Sequence, residues 1–318
     1  MQDKKEKQNK KPNPKALVLF SGGLDSRLAV KLLQEQKINI EAVFFQLIFG
    51  GGCCNDFSCV FNYSQVQGIK LHVIDCTKGK IFQEYLDIIK NPEHGTGTAI
   101  NPCKDCKIFM FKQAKKLAKK INADFIVTGE VLGQRPMSQL KKQLELTEEQ
   151  AGLKGQILRP LSAKLLSETK AEKKQLVNRN KLLDIEGRSR KRQMQLAEKF
   201  KIKYPSSGGG CLLCEKDYAK KLKDLFKHKK KIIPEEVKIL NTGRHFRKNT
   251  KIILGKNQQE NQVIEELNKK LKYPILIPET PGPTAIFEDK NNKLFVEKLI
   301  KAYSTNPKLR KKFEEFKI

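Results

Sequence analysis

Long apolar runs are missing from this chain of 318 residues. No stretch approaches the roughly 18 consecutive apolar residues that a membrane-spanning helix needs. The first fifteen residues, MQDKKEKQNKKPNPK, have no apolar core, so they predict a solvated basic tail over residues 1–14 and not a secretory signal. From these absences we expect a cytoplasmic protein that has no membrane partner.

Acidic residues are scarce as well. The chain has 35 Asp and Glu against 64 Lys and Arg, which gives a formal net charge of +29. Such an excess favours a polyanionic partner, either nucleic acid or an anionic membrane surface. Because no strongly amphipathic membrane helix stands out, nucleic acid is the expected partner. The other interpretation is a lysine-rich composition that only solvates the surfaces of helices.

Strand-like and helix-like segments alternate over the first 130 residues. The strand-like runs are KALVLF (15–20), IEAVFF (40–45), KLHVID (70–75) and DFIVTG (124–129), and the helical patterns cover 25–36, 57–67, 78–89 and 104–121. This order predicts an α/β fold with a doubly wound parallel sheet, in which ligands bind at the carboxyl ends of strands.

A second pattern begins near Pro234. Short apolar runs and a helical pattern over 258–271 predict a smaller C-terminal α+β domain. We therefore expect one domain over residues 15–233 and another over residues 234–318.

The first predicted strand ends in SGGLDS, which is neither GxxxxGK[ST] nor GxGxxG. Gly22 and Gly23 permit positive φ and the close approach of a phosphate, and the hydroxyls of Ser21 and Ser26 can donate to it. Asp25 would repel a phosphate, so it is better suited to bind Mg²⁺. The alternative is a glycine turn that only caps a helix.

Four of the eight cysteines form two CxxC pairs, Cys103–Cys106 and Cys211–Cys214. In a long chain without an export signal, this spacing indicates metal or redox chemistry and not disulfides. The first pair opens a predicted helix, whose N-terminus and neighbouring lysines are expected to acidify the thiols. Four cysteines suit a zinc site, three suit a 4Fe–4S cluster with one open iron, and inert thiols are the third interpretation.

The hexapeptide SGGLDS resembles the signature of the PP-loop ATP pyrophosphatases, which have the adenine nucleotide alpha hydrolase-like fold. This resemblance implies ATP and Mg²⁺ as ligands and cleavage of ATP between the α and β phosphates. The residues it implies for the nucleotide and its metal ion are Ser21, Gly22, Gly23, Asp25, Ser26, Phe45, Gln46 and Gly129.

Further motifs resemble the tRNA thiouridine synthases over roughly residues 15–215. They are NPCKDCK, ADFIVTGE, ILRPLSAKLLSET and SSGGGC. The resemblance implies that Cys103, Cys106 and Cys211 are catalytic and hold a 4Fe–4S cluster, with Cys214 as an additional thiol. The sequence departs from the family pattern at one position. Where the family usually has Gly-His after this strand, this chain has Gly129-Glu130.

The implied reaction is ATP-dependent tRNA thiolation, in which a uridine carbonyl is adenylated and its oxygen is replaced by sulfur. The product is 2-thiouridine or 4-thiouridine, and the sulfur comes from a cysteine desulfurase or inorganic sulfide. Three alternatives stay open: a persulfide mechanism without a cluster, another PP-loop reaction such as amidation, and an RNA-binding protein with structural zinc. A homodimer is also compatible with the family.

The C-terminal segment GRHFRKNTKIILGKNQQENQVIEEL, followed by ETPGPTAIF, combines basic and aromatic residues. Arg and aromatic planes can stack on bases while cations neutralise phosphates. The segment resembles the NFACT-type RNA-binding domain over about residues 235–300. Arg244, His245 and Arg247 are the predicted RNA-binding residues, and tRNA is the predicted partner.

Overall fold

The computed structural model describes residues 13–50, 57–136, 138–206 and 210–318. Its contacts divide the chain into two compact units. The first unit contains Pro102–Gly210 and the chain up to Gly97, and the second contains Thr98–Asn101 and Cys211–Ile318. The predicted basic tail, apart from residues 13 and 14, lies outside the described residues.

A parallel sheet of five strands forms the centre of the first unit. The strands are β1 (Lys15–Leu19), β2 (Asn39–Gln46), β3 (Lys70–Asp75), β4 (Phe125–Thr128) and β5 (Ile157–Leu158), in the order β3-β2-β1-β4-β5. The register pairs Lys15 with Asn39 on one side of β1 and Ala16 with Phe125 on the other. Because β1 and β4 are neighbours, the segments that follow them meet at one edge of the sheet.

Helices cover both faces of this sheet. They are α1 (Leu24–Gln34), α2 (Phe57–Val66), α3 (Gly79–Lys90), α4 (Cys103–Lys120), α5 (Lys141–Gln150), α6 (Lys170–Lys173) and α7 (Lys191–Lys199). Val30 of α1 and Val60 of α2 pack with Val18 of β1 in one buried cluster. Side chains alternate along a strand, so Leu17 faces the opposite side, where α4 contacts β1 and β4.

The second unit contains an antiparallel sheet. It consists of α8 (Lys216–His228), α9 (Pro234–Lys238), β6 (Arg244–Arg247), β7 (Lys251–Leu254), α10 (Gln258–Leu271), β8 (Ile275–Leu276), β9 (Ala285–Phe287) and α11 (Lys293–Ser304). The strand order is β6-β7-β9-β8. Ile252 packs with Val296 of α11, and Ile253 packs with Ile264 of α10. Alternate residues of β7 are therefore buried on opposite faces of the sheet.

The predicted fold class is confirmed: the parallel α/β sheet is accompanied by a smaller α+β unit. The domain limits at residues 233 and 234 stay a prediction, and the compact units themselves divide between Gly210 and Cys211. Among the described helices, we find none that is both long and apolar enough to span a membrane.

Candidate phosphate and cysteine sites

The SGGLDS turn lies between β1 and α1, as predicted. Gly22 has φ +77, a conformation that L side chains rarely adopt, and a Cβ atom there would lie 2.9 Å from Val60 Cγ2. Gly23 is the N-cap of α1 and has no side chain to cap the helix, nor does any other described residue cap its first turn. The backbone N–H groups of that turn are thus directed toward the end of β1, where an anion is favoured.

The two serines of the turn differ in their surroundings. Ser21 is exposed, whereas Ser26 is buried and its hydroxyl donates to the Gly23 carbonyl oxygen at 2.9 Å. Ser21 Oγ also lies 3.4 Å from Ser26 Oγ. The predicted phosphate contacts of both hydroxyls stay predictions.

Gly129, which follows β4, contacts the backbone of α1 directly. An ideal Cβ at this position would lie 2.6 Å from Ser26 N and 2.7 Å from the carbonyl carbon of Asp25. Both neighbours are main-chain atoms of a buried turn, so they cannot move aside as a flexible side chain would. The absence of a side chain at Gly129 therefore sets the position of the first turn of α1.

The Gly129→Ala substitution is expected to destabilise the protein by about 1–3 kcal/mol, because overpacking forces backbone shifts. It should also weaken ATP binding, since the displaced atoms belong to the turn. Thermal unfolding and ATP titration measure the two effects. Gly210→Ala is the matched control, because no atom that the structure describes lies within 4 Å of its Cβ position. Equal behaviour of the two variants would contradict this role of Gly129.

Asp25 has one satisfied and one unsatisfied carboxylate oxygen. Gln134 Nε2 donates to its Oδ2 at 2.9 Å, while its Oδ1 is buried and has no hydrogen-bond partner among the described residues. Burial raises the pKa of Asp25, and the Gln134 hydrogen bond together with the charges of Arg190 and Arg135 acts in the opposite direction. A buried oxygen without a partner, next to a phosphate turn, fits the hard oxygen ligand that Mg²⁺ requires.

Arg27 fixes the turn to its surroundings. The side chain is buried, and its guanidinium donates to the Gly22 carbonyl oxygen at 2.6 Å and to the Lys203 carbonyl oxygen at 2.7 Å. It also lies over the Tyr63 ring, 4.3 Å from the centroid. Since its donors are directed at protein carbonyls, Arg27 positions the turn.

Phe45 and Gln46 end the neighbouring strand β2. The Phe45 side chain is buried, and the Gln46 carbonyl oxygen accepts a hydrogen bond from Cys76 N at 2.9 Å. Their predicted place beside the adenine stays a prediction.

Cys103 is the first residue of α4, and Cys106 lies in its first turn, as predicted. The Tyr85 hydroxyl and Cys106 Sγ are 3.3 Å apart. Burial raises the pKa of Cys106 to about 11, and the hydrogen bond with Tyr85 only partly opposes this effect. The expected acidification is therefore wrong for Cys106, because burial outweighs the helix N-terminus and the lysines.

Asp105 lies between these two cysteines and is buried. Its Oδ1 is 2.7 Å from His94 Nδ1, and its Oδ2 accepts a hydrogen bond from His94 N at 3.2 Å. The pair joins the loop before α4 to the first turn of that helix.

The second pair, Cys211 and Cys214, spans a short 3₁₀ turn in the second unit. Asn101, which belongs to the same unit, donates its Nδ2–H to Cys214 Sγ at 2.7 Å. Ile100 N donates to the Leu213 carbonyl oxygen at 3.1 Å. The residues that directly precede the first cysteine pair in the sequence are thus hydrogen-bonded to the second pair.

Glu130, the residue that departs from the family pattern, is buried in an ion-pair network. Lys107 Nζ contacts its Oε1, and its Oε2 accepts hydrogen bonds from Arg159 Nε at 3.0 Å and Thr128 Oγ1 at 3.0 Å. Burial alone would raise the pKa of Glu130, but the charges of Lys107 and Arg159 lower it to about 2. Glu130 therefore stays ionised and joins α4 to the central sheet.

The basic residues of β6 correct part of the RNA-binding prediction. His245 is buried, and its Nε2–H donates to the Thr242 carbonyl oxygen at 2.8 Å, so its side chain is not exposed for contact with RNA. Arg247 is held by Asp224 through two bonds of 2.6 and 2.8 Å. Arg244 is half-buried, with its guanidinium 4.9 Å from the Tyr303 ring centroid. RNA contacts by the two arginines stay predictions.

The second unit should lose stability as pH falls below 6.5. Burial and the charges of Lys251 and Lys221 hold the pKa of His245 well below its usual range, so only the unfolded chain binds a proton there. The free energy of unfolding should then fall by about 1.4 kcal/mol per pH unit. Native-state hydrogen exchange of the β7 amides measures this free energy of unfolding at each pH. His245→Gln, which cannot titrate, should remove this slope, and an unchanged slope would contradict the assignment.

Several residues near Asp25 could not be found from the sequence. Gln134 Oε1 accepts a hydrogen bond from Gln193 Nε2 at 3.1 Å, so an amide chain runs from Asp25 to α7. Arg135 and Arg190 also act electrostatically on Asp25. No motif marks these four residues, and their positions depend on tertiary structure.

Together, the parallel sheet, the glycine turn after its central strand and the unsatisfied Asp25 oxygen define an α/β protein with a candidate phosphate site. The chain belongs to the ThiI family: the family model described as "Thiamine biosynthesis protein (ThiI)" matches residues 12–206. A second family model, "NFACT protein RNA binding domain", matches residues 243–311. Both family resemblances that the sequence suggested are therefore confirmed.

Curated relatives include proteins named tRNA-specific 2-thiouridylase MnmA. The protein from Sulfurimonas denitrificans is 32% identical over 120 residues, which cover 36% of this chain and 34% of the relative. The protein from Clostridium acetobutylicum is 33% identical over 129 residues, covering 37% and 36%. The chain thus spans about a third of the length of these relatives.

Among solved structures, the U34-tRNA thiolase NcsA from Methanococcus maripaludis with its [4Fe-4S] cluster is similar to this chain. The identity is 17%, the TM-score is 0.37, and the match covers 86% of this chain and 77% of that one.

Proposed function

We propose that this protein is an ATP-dependent tRNA sulfurtransferase. The uridine carbonyl oxygen attacks the α-phosphate of ATP, the bond between the α and β phosphates breaks, and pyrophosphate leaves. A sulfur nucleophile then attacks the activated ring carbon, the bond from this carbon to oxygen breaks, and AMP leaves with that oxygen. The product is 2-thiouridine or 4-thiouridine.

The observation that carries the proposal is the turn between β1 and α1. It combines uncapped N–H groups for phosphate with a buried Asp25 oxygen that has no partner among the described residues. Asp25 Oδ1 would hold Mg²⁺, and Gln134 orients the carboxylate by its bond to Oδ2. Activation of a carbonyl by ATP requires such a site, whereas RNA binding alone does not.

Sulfur chemistry is supported by the thiols. We propose Cys103, Cys106 and Cys211 as the ligands of a 4Fe–4S cluster, which would supply an open iron for the transferred sulfur. Thiols are the ligands that iron–sulfur clusters take, and the Tyr85 hydroxyl lies 3.3 Å from the sulfur of one of them, Cys106. The raised pKa of Cys106 means that loading this ligand releases a proton.

tRNA is the proposed substrate, since an RNA-binding domain matches the second unit and the net charge is +29. The proposed compartment is the cytoplasm. A cysteine desulfurase or inorganic sulfide as the sulfur donor, and assembly as a homodimer, belong to the same proposal.

Anaerobic purification, followed by an absorbance scan and iron, sulfide and zinc analysis, tests the cluster. We expect a brown protein with about four irons per chain. Cys211→Ser should lose most of this iron, and Cys214→Ser, its neighbour in the same 3₁₀ turn, should keep it. A colourless, zinc-loaded protein would overturn the cluster, and a metal-free but active protein would favour the persulfide mechanism.

Thionucleoside analysis tests the reaction. tRNA from a strain that lacks this gene should be missing one thiouridine, and the intact gene should restore it. Purified protein, ATP and sulfide should then generate the same nucleoside in the unmodified tRNA. Unchanged 2-thiouridine and 4-thiouridine in the deletion strain would refute the tRNA assignment.

A further inference from the structure

The SGGLDS turn, residues 21–26, contains no lysine or arginine. The next residue in the sequence is Arg27. Arg27 is directed at two protein carbonyls, so it is engaged within the fold. A triphosphate carries several negative charges, and a single Mg²⁺ ion neutralises only part of them. A further cation should therefore lie beside the turn.

Two loops of the first unit meet near Asp25. They are residues 131–135, which follow β4, and residues 186–190, which precede α7. Leu132 forms a β-bridge with Glu186, and Gly187 N donates to the Leu132 carbonyl oxygen at 2.8 Å. The two loops thus form one connected rim.

Side-chain amides connect the rim to Asp25 through hydrogen bonds. Gln134 donates to Asp25 and accepts from Gln193, which is fully buried in α7. The Oε1 of Gln193 is a buried oxygen without a hydrogen-bond partner among the described residues. Buried polar atoms normally have a hydrogen-bond partner. The Gln193 oxygen at the end of this chain of amides can therefore accept a hydrogen bond from a ligand or a water molecule.

Arg190 is the N-cap residue of α7, three residues before Gln193. Its side chain is half-buried, and its Nε is buried with no hydrogen-bond partner among the described residues. The amide chain from Gln193 through Gln134 places this end of α7 beside Asp25. Arg192, two residues later, is instead exposed and forms an ion pair with Asp184 at 2.5 Å.

We infer that Arg190 binds the phosphates of the nucleotide and supplies the cation that the SGGLDS turn lacks, with Gln134 and Gln193 as positioning residues. A guanidinium suits this task because it offers several N–H donors in a planar fork that matches phosphate oxygens. The inference rests on the proposed ATP chemistry and deepens it.

A purely structural role is the competing explanation. Arg190 would then only balance the charge of Asp25, and its loss would alter the fold of the rim without regard to phosphate. The two roles differ in ligand dependence. A phosphate-binding cation affects ATP and inorganic pyrophosphate but not adenosine, whereas a distorted rim would affect all three.

The test is calorimetric titration of the full chain with Mg²⁺-ATP, inorganic pyrophosphate and adenosine. Arg190→Gln should weaken ATP and pyrophosphate binding about 10- to 100-fold, as expected for a hydrogen bond to a charged group, and change adenosine binding less than about twofold. Arg190→Lys should recover part of the loss, because it restores the charge but not the fork. Arg192→Gln is the control and should behave like the unaltered protein.

Pyrophosphate binding by Arg190→Gln at the unaltered affinity would overturn the inference. An equal loss of adenosine and pyrophosphate binding would also overturn it, in favour of the structural role. If Arg190→Gln does not fold, as judged by circular dichroism, Arg190→Lys decides by the same comparison of ligands. If the unaltered chain binds neither ATP nor pyrophosphate, the proposed function itself fails.

Discussion

Asp25→Asn is expected to slow tRNA-dependent pyrophosphate release by at least about 100-fold, the cost of removing a charged group that stabilises a transition state. The amide keeps the size of the side chain but has only one acceptor oxygen and no charge for Mg²⁺. Pyrophosphate release in the presence of ATP and tRNA measures the effect, and Asp184→Asn is the control because that carboxylate is exposed.

The same substitution should not lower the stability of the protein. Burial raises the pKa of Asp25, so its ionised form at neutral pH is disfavoured by folding, and removal of the charge relieves that cost. A thermal unfolding midpoint equal to or above that of the unaltered chain is expected. Unfolding at a lower temperature, or full activity, would contradict the assigned role of Asp25.

Glu130→Gln should have the largest effect on stability, a loss of about 3–5 kcal/mol in the free energy of unfolding. The substitution removes the carboxylate between the half-buried Lys107 and the buried Arg159, and leaves Arg159 with Glu148 as its remaining ion pair. Arg159 already has one buried guanidinium nitrogen, Nη2, with no partner among the described residues. Chemical denaturation at neutral pH measures the loss.

Acid titration provides a second measurement for Glu130. Because its pKa is lowered from 4.5 to about 2, its contribution is present above pH 4.5 and is lost as pH falls toward 2. Glu130→Gln should remove this part of the pH dependence. Glu145→Gln, an exposed residue of α5, is the control and should change stability by less than about 0.5 kcal/mol. Similar losses in both variants would refute the network.

Local patterns were sufficient to predict the first unit as far as β4. Each buried strand is a short apolar run, and each helix shows its own periodicity, so β1, α1 and the turn between them follow from neighbouring residues. Gly22 is required by a positive φ, which is also a local property. The glycine turn between β1 and α1 could therefore be predicted from the sequence.

Other parts of the site depend on contacts between distant segments. Gln134 lies 109 residues after Asp25, and nothing in its neighbourhood distinguishes it from a solvated glutamine. Glu130 was recognisable as a departure from a family pattern, but its partner Arg159 comes from another strand end. Contacts such as Asp25–Gln134 and Glu130–Arg159 depend on how distant segments pack, so they cannot be predicted from local periodicity.

His245 shows a different limit. The compact basic and aromatic segment RHFR led to the prediction that His245 binds RNA together with Arg244 and Arg247. In the structure both faces of this sheet are covered, so His245 and Phe246 are both buried. A strand with two covered faces gives no simple alternation, so the residue types alone do not show that His245 is buried.

The short segment Thr98–Asn101 has a consequence for synthesis of the chain. It belongs to the second unit, and its hydrogen bonds reach Leu213 and Cys214. Asn101 leaves the ribosome 113 residues before Cys214, which at ordinary rates of translation corresponds to a wait of about 5–20 seconds. Thr98–Asn101 are thus synthesised before the residues that they bind. The second unit can complete its fold only when Cys211–Ile318 have been made and these hydrogen bonds form.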